Sequence, residues 1–94
     1  MEIRIKTKTA EGVQGAIRAA MDQNRRCRVF HAVGNLETGA LAVAPVSDEI
    51  DAYGENWRGC TGIQRWAWDT VPGYAEKTAG YLAAILQGDK TVRL

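Results

Sequence analysis

Few side chains in this sequence have chemical capacity. They are one histidine, His31, two cysteines, Cys27 and Cys60, and three tryptophans gathered with Arg58 and Arg65 in residues 57–68. A thiol beside an imidazole would supply a nucleophile and its base. Cys27 and His31 lie four positions apart on one face of an expected strand. That is about 13 Å at strand rise, beyond hydrogen-bond reach. Cys60 sits in RGCTG, a glycine-flanked stretch, and would have to meet His31 through the fold. Such a pair, with the thiol pKa lowered, would suit a small enzyme or ligand binder. The residue types favour a plainer reading, a half-buried histidine and two inert thiols, over a catalytic pair or a disulfide. A zinc site needs about four ligands at characteristic spacing. With no CxxC and a single histidine, no metal is expected. GCTG and VPGY match neither the P-loop nor the dinucleotide fingerprint, so no cofactor is expected and no enzyme signature is present.

Binding surfaces are better represented than catalytic ones. Trp66 and Trp68 alternate with Arg65 in IQRWAW. Trp and Arg dominate interface hot spots, so Trp66, Trp68, Arg65 and Arg58 form the candidate partner-binding set. A second set is basic: Arg4, Lys6, Lys8, Arg26 and Arg28. If the first two strands are neighbours, these residues share the solvent face of a sheet, with Phe30 among them. Basic side chains interleaved with aromatics are the ingredients of single-strand nucleic acid binding. A third set, Asp48, Asp51 and Glu55, falls on one side of an expected acidic helix and would dock on a basic partner. Each set also has an ordinary structural explanation, as core rings or as a solvated charged face.

The elements that must position these residues follow from periodicity. EIRIKTK alternates and reads as a half-buried strand. Thr9 can cap a helix with Glu11 in its first turn, and Val13, Ala16, Ile17, Ala20 and Met21 then form one stripe ending near Asn24. RCRVFHAV and GALAVAPV read as strands joined by the turn residues GNLETG, a hairpin with Pro45 near its end. SDEIDAYGEN reads as a short helix capped by Ser47, its Ile50–Tyr53–Trp57 stripe carrying Trp57 into the core. IQRWAW reads as a short strand or extended loop with Trp66 and Trp68 on the same face, one of them partly exposed. Pro72 is placed in the first turn of a last helix. That helix carries a Val71, Ala75, Thr78, Leu82, Ile85 stripe and a small-residue flank at Ala79, Gly80, Ala83 and Ala84. Gly88 terminates it, and KTVRL reads as a final strand.

The order β-α-β-β-α-(β)-α-β predicts an α+β fold. A small antiparallel or mixed sheet of three to five strands would be packed by two long helices in a single domain over residues 1–94. With 46% hydrophobic and 24% charged residues, the composition is that of a globular chain. No apolar run is long enough to span a bilayer, and the charged N-terminus lacks a signal-peptide core. Membrane association is therefore not expected, and cytoplasm is the expected location. Net charge is +1, yet residues 37–56 carry five acidic side chains and no basic one. This layout disfavours bulk electrostatic binding to nucleic acid. In size and general character, over its whole length, the chain resembles the accessory and inhibitor proteins of phages and mobile elements, anti-CRISPR proteins among them. No motif carries that likeness.

The sequence therefore leads to a small non-catalytic protein-interaction module that occupies a surface of a larger protein or ribonucleoprotein complex. The alternatives are a nucleic-acid-binding accessory protein using the basic face, and a small enzyme using Cys60 and His31. A homodimer is compatible with the small size, through the last helix or the Trp66/Trp68 face.

Overall fold

A computed structural model describes residues 2–48, 50 and 57–88, with the backbone alone at 58–60. The fold is α+β: a four-stranded antiparallel sheet packed by helices. Its elements are β1 (Ile3–Lys6), α1 (Ala10–Gln23), β2 (Val29–Asn35), β3 (Ala40–Pro45), β4 (Trp57–Gln64), α2 (Arg65–Thr70) and α3 (Tyr74–Leu86). The strands lie in the order β1-β3-β2-β4.

Helix α1 forms as its stripe predicts. Val13, Ala16, Ile17, Ala20 and Met21 are all buried, and Thr9 Oγ1 accepts from the Gly12 amide at 3.0 Å. The β2–β3 hairpin also forms, with Phe30 opposite Pro45 and Gly34 opposite Leu41. Its turn is set by Asn35, whose Oδ1 accepts from the amides of Glu37 and Thr38, both at 2.9 Å. Gly39 takes the positive φ that closes the turn. Gly34 was expected in the turn but lies in β2. A Cβ there would come within 3.1 Å of Ile85 and Leu86, so this glycine lets α3 approach the sheet. Pro45 ends β3, an inner strand, where its missing N–H breaks no ladder.

One face of the sheet carries the main core. Ile3, Ile5, Phe30, Ala32, Leu41, Val43 and Ile63 pack against the buried faces of α1 and α3 and against Trp68. Ala16 and Ala20 of α1 join the same core as Ala79 and Ala83 of α3, so half of the small-residue flank is used within the molecule, while Gly80 is exposed and Ala84 half-buried. The opposite face is built from small residues. Val33, Ala42 and Ala44 are covered by Ile50, with Trp57 packed beside them. Trp57 does join Ile50, as expected, but it starts a strand and its ring also lies under the Arg4 guanidinium at 5.4 Å.

Three expectations need correction. First, IQRWAW is not a strand. β4 ends at Gln64, where its partner β2 begins at Val29, and the chain turns into α2. Two residues apart on a helix are about 200° apart, so Trp66 and Trp68 face opposite ways. Second, Pro72 does not open the last helix; it ends α2. Val71 before it is extended (φ −89°, ψ 115°), as a residue preceding proline prefers, and Gly73 at φ 80° reverses the chain into α3. Third, β1 and β2 are not neighbours, because β3 lies between them. Of the expected acidic helix, Ser47 and Asp48 form a turn and Ile50 is non-helical. Residues 49 and 51–56, including Asp51 and Glu55, lie outside the described residues, as does the expected final strand.

Candidate functional site

The site centres on α2 and the α1–β2 connection, and it begins with Arg65. This residue follows directly after β4, and its amide donates to the Arg28 carbonyl at 2.9 Å. Its guanidinium turns inward and donates to the carbonyls of Cys27 (2.8 Å), Met21 (3.0 Å) and Asn24 (2.9 Å). Those oxygens belong to the end of α1 and the chain just beyond it. A helix C-terminus has carbonyls without intrahelical donors and a partial negative charge, and a cation satisfies both. The same guanidinium lies 5.4 Å from the Phe30 ring centroid, over a side chain that is fully buried. Phe30 is thus a core residue with a cation above it, not part of a solvent-facing basic stripe.

The other residues of α2 divide by face. Ala67 and Trp68 are buried, and Trp68 enters the main core. Trp66 is 63% exposed. The helix that presents it is fixed at both ends. Arg18 bonds Asp69 at 2.6 Å, Thr70 Oγ1 donates to the Trp66 carbonyl at 2.6 Å, and the Gln64 amide donates to the Tyr74 hydroxyl at 3.1 Å. The Trp66 indole N–H donates to Gln64 Oε1, which sets the ring's orientation. Arg28, Arg65, Trp66, Asp69 and Thr70 line a shallow open depression beside the ring.

Other exposed apolar side chains lie next to this helix. Val29 is the cross-strand partner of Gln64, and the Val46 amide donates to the Val29 carbonyl at 3.0 Å. Val29 and Val46 are 37% and 57% exposed. Arg28 immediately precedes Val29 and shares the depression with Trp66, and Arg26 and Arg25 lie two and three positions before Arg28; all three are exposed. These three arginines form no ion pair among the described residues, whereas Arg18 is engaged by Asp69 and Arg65 by carbonyls.

The sequence-derived sets therefore separate. Of the partner-binding set, Trp66 is on the surface, Trp68 is in the core and Arg65 is a structural staple. Arg58 lies on β4 with its side chain outside the described ones. Of the basic set, Arg4 and Lys6 sit on edge strand β1, with Arg4 bonded to Glu2 at 2.9 Å and stacked on Trp57. Lys8 follows that strand. Arg26 and Arg28 lie beyond the opposite end of the hairpin register, more than two strand spacings (about 10 Å) away from Lys6. No continuous stripe joins them. Of the acidic set, Asp48 is half-buried and its carbonyl accepts from His31 Nε2 at 2.9 Å, which fixes the proton on that nitrogen. Cys60 lies on β4, the strand next to His31, with its side chain outside the described ones. Cys27 is a free, half-buried thiol. Among the described residues no cluster of His, Cys, Asp and Glu could hold a metal, and no helix is long and apolar enough to cross a membrane.

Val29, Val46, Arg25 and Gln64 were missed because no periodic pattern joins them; they meet only through strand pairing. The one available signal was that Arg25, Arg26 and Arg28 crowd a helix end where fewer charges would serve. No family model, curated protein or solved structure matches the chain.

Proposed function

We propose that the protein is a small, non-catalytic, cytoplasmic protein-interaction module of the inhibitor or accessory kind. It acts by occupying a surface of a larger partner, with Trp66 as its grip. The observation that carries this reading is a tryptophan 63% exposed on a short helix whose other face is locked by Trp68 and Arg65. A large rigid ring held in water contributes little to the fold. Buried against a partner it supplies much apolar area at little entropic cost, because its conformation is already fixed. The likeness in size and character to phage-borne inhibitors, anti-CRISPR proteins included, supports a setting in which the partner is a protein or ribonucleoprotein machine.

The test is capture from lysate by wild type and by Trp66→Ala, each first shown to be folded by near-UV circular dichroism. A discrete complex retained by wild type and lost by the variant supports the reading. Equal capture by both overturns it. A second reading, nucleic-acid binding, is favoured by one feature: Arg25, Arg26 and Arg28 are exposed with no ion pair among the described residues, and Arg28 shares a depression with the exposed Trp66 ring. It requires affinity to fall steeply with salt.

A further inference from the structure

We propose that the partner presents an acidic protein segment bearing a large apolar side chain, seated on the patch formed by Trp66, Val29 and Val46 with its carboxylates on Arg25, Arg26 and Arg28. This rests on the reading of Trp66 as the grip and names the chemistry that the grip takes.

The first support is convergence. The described residues include four large hydrophobics that are exposed: Val46 and Trp66 strongly, and Val29 and Val71 by little more than a third. Three of them are linked through Gln64 at one end of the sheet, although they come from the start of β2, the turn after β3, and α2. Val46 is bonded to Val29, Val29 is paired with Gln64, and Gln64 holds the Trp66 indole. The same sheet face is covered by Ile50 and Trp57 towards its other end. At this end Gly62 and Gln64 are exposed, and a Cβ added at Gly62 would meet nothing within 4 Å. The open part of the face therefore has room for an extended segment.

The second support is charge. Five arginines surround α2 and the end of α1. Arg18 and Arg65 are spent on Asp69 and on backbone carbonyls, while Arg25, Arg26 and Arg28 are exposed without an ion pair among the described residues. Guanidinium groups pair bidentately with carboxylates, and a partner supplying carboxylates would complete them. Phosphates would too, but two features favour a protein. Val29 and Val46 are aliphatic, so Trp66 alone offers a base a ring to stack on, whereas the two valines beside it accommodate a Leu or Phe side chain. Asp22 and Asp69 stand among the arginines, both exposed. A continuous run of phosphates would have to cross them, whereas carboxylates can be spaced along a peptide to avoid them.

The test is an NMR titration of the 15N-labelled full chain. Three short probes are compared: a Glu/Asp peptide with a central Leu-Phe pair, the same peptide with Lys in place of its acids, and an oligothymidylate. The expected result is saturable shifts at the Trp66 indole N–H and at the Arg28, Val29 and Val46 amides with the acidic peptide. The Lys peptide should bind at least about tenfold more weakly, and Arg25→Glu/Arg26→Glu/Arg28→Glu should abolish the shifts in a spectrum that is otherwise folded. Tighter binding of oligothymidylate overturns the proposal in favour of nucleic acid. Shifts at these residues that depend on protein concentration alone overturn it in favour of a second copy. Absence of shifts with the acidic peptide at millimolar concentration overturns it as well. The lysate capture separates the two readings. If the arginine variant still captures the partner and Trp66→Ala does not, the acidic partner is wrong and the grip stands. If Trp66→Ala captures it, the grip itself is wrong.

Discussion

The inner side of α2, and its outer side together with the adjoining α1–β2 connection, carry similar side chains with opposite fates. Inward, Trp68 is 8% exposed and Arg65 donates to three carbonyls; outward, Trp66 is 63% exposed and Arg28 has no ion pair among the described residues. Composition alone gives no hint of this asymmetry. The inward pair joins α2 to the core and to the end of α1, so its energy goes into the fold. The outward pair draws on that rigidity and returns almost nothing to it. Binding and stability should therefore be separable by substitution, although the residues concerned lie within four positions of one another on α2 and within the α1–β2 connection.

The sharpest way to break the comparison is Trp68→Ala. Removing a buried ring from a core that includes Ile17, Leu82 and Phe30 should cost about 3–5 kcal/mol, measured by urea denaturation. In a domain of 94 residues that is a large share of the total stability, and the variant is expected to be partly unfolded at room temperature. A loss below about 1 kcal/mol would mean that Trp68 is not a core residue and that the two faces do not differ.

Arg65→Met comes next. It keeps much of the aliphatic stem and removes the guanidinium, leaving the Cys27, Met21 and Asn24 carbonyls without that donor. Hydrogen bonds from charged donors are worth more than neutral ones, and water can replace part of what is lost at a half-buried position. A cost of about 2–3 kcal/mol is expected in the same denaturation assay. Arg65→Lys should recover less than half, because an ammonium cannot span three acceptors in a fixed fork. Full rescue by Lys would reduce Arg65 to a point charge at a helix terminus.

How much of this was legible in the sequence differs from element to element, for physical reasons. Helix α1 could be read to the residue, because a stripe at 3.6-residue spacing and a Thr cap are local properties. The hairpin could be read from its turn residues, though not the role of Gly34, which depends on a helix more than 50 positions later. Helix α2 could not be read. Over six residues an alternating pattern fits a strand and a short helix equally well. The contact that decides between them is Arg65 with carbonyls 38 to 44 positions away. The sheet order was equally hidden, and with it the fact that Arg4 and Lys6 do not join Arg26 and Arg28. Trp66 was legible as a candidate, but Val29 and Val46 became its neighbours only through pairing between β2, β4 and the turn after β3.

A smaller effect tests whether α3 belongs wholly to the fold. Gly80 is an exposed helical residue, and a Cβ added there meets nothing within 4 Å. Gly80→Ala should stabilise the protein by about 0.5–1 kcal/mol through the reduced entropy of the unfolded chain, read as a shift in the urea midpoint at constant slope. It should leave partner capture unchanged, because Ala79 and Ala83 on the same helix are already packed in the core. Lost capture would place part of the grip on α3.

The smallest expected effect is the most informative. Trp66→Ala should change stability by no more than about 0.5 kcal/mol, the range of surface substitutions away from special features. Among the described residues the ring's one hydrogen bond is to Gln64, an exposed side chain that water can serve after the change. Its backbone role, accepting from Thr70 Oγ1, survives the substitution. A cost near that of Trp68→Ala would show that the ring holds α2 on the sheet, and its exposure would then be a by-product of folding. A near-zero cost joined to lost binding would mean that the ring is kept in water for something outside the molecule, since nothing inside it depends on the ring.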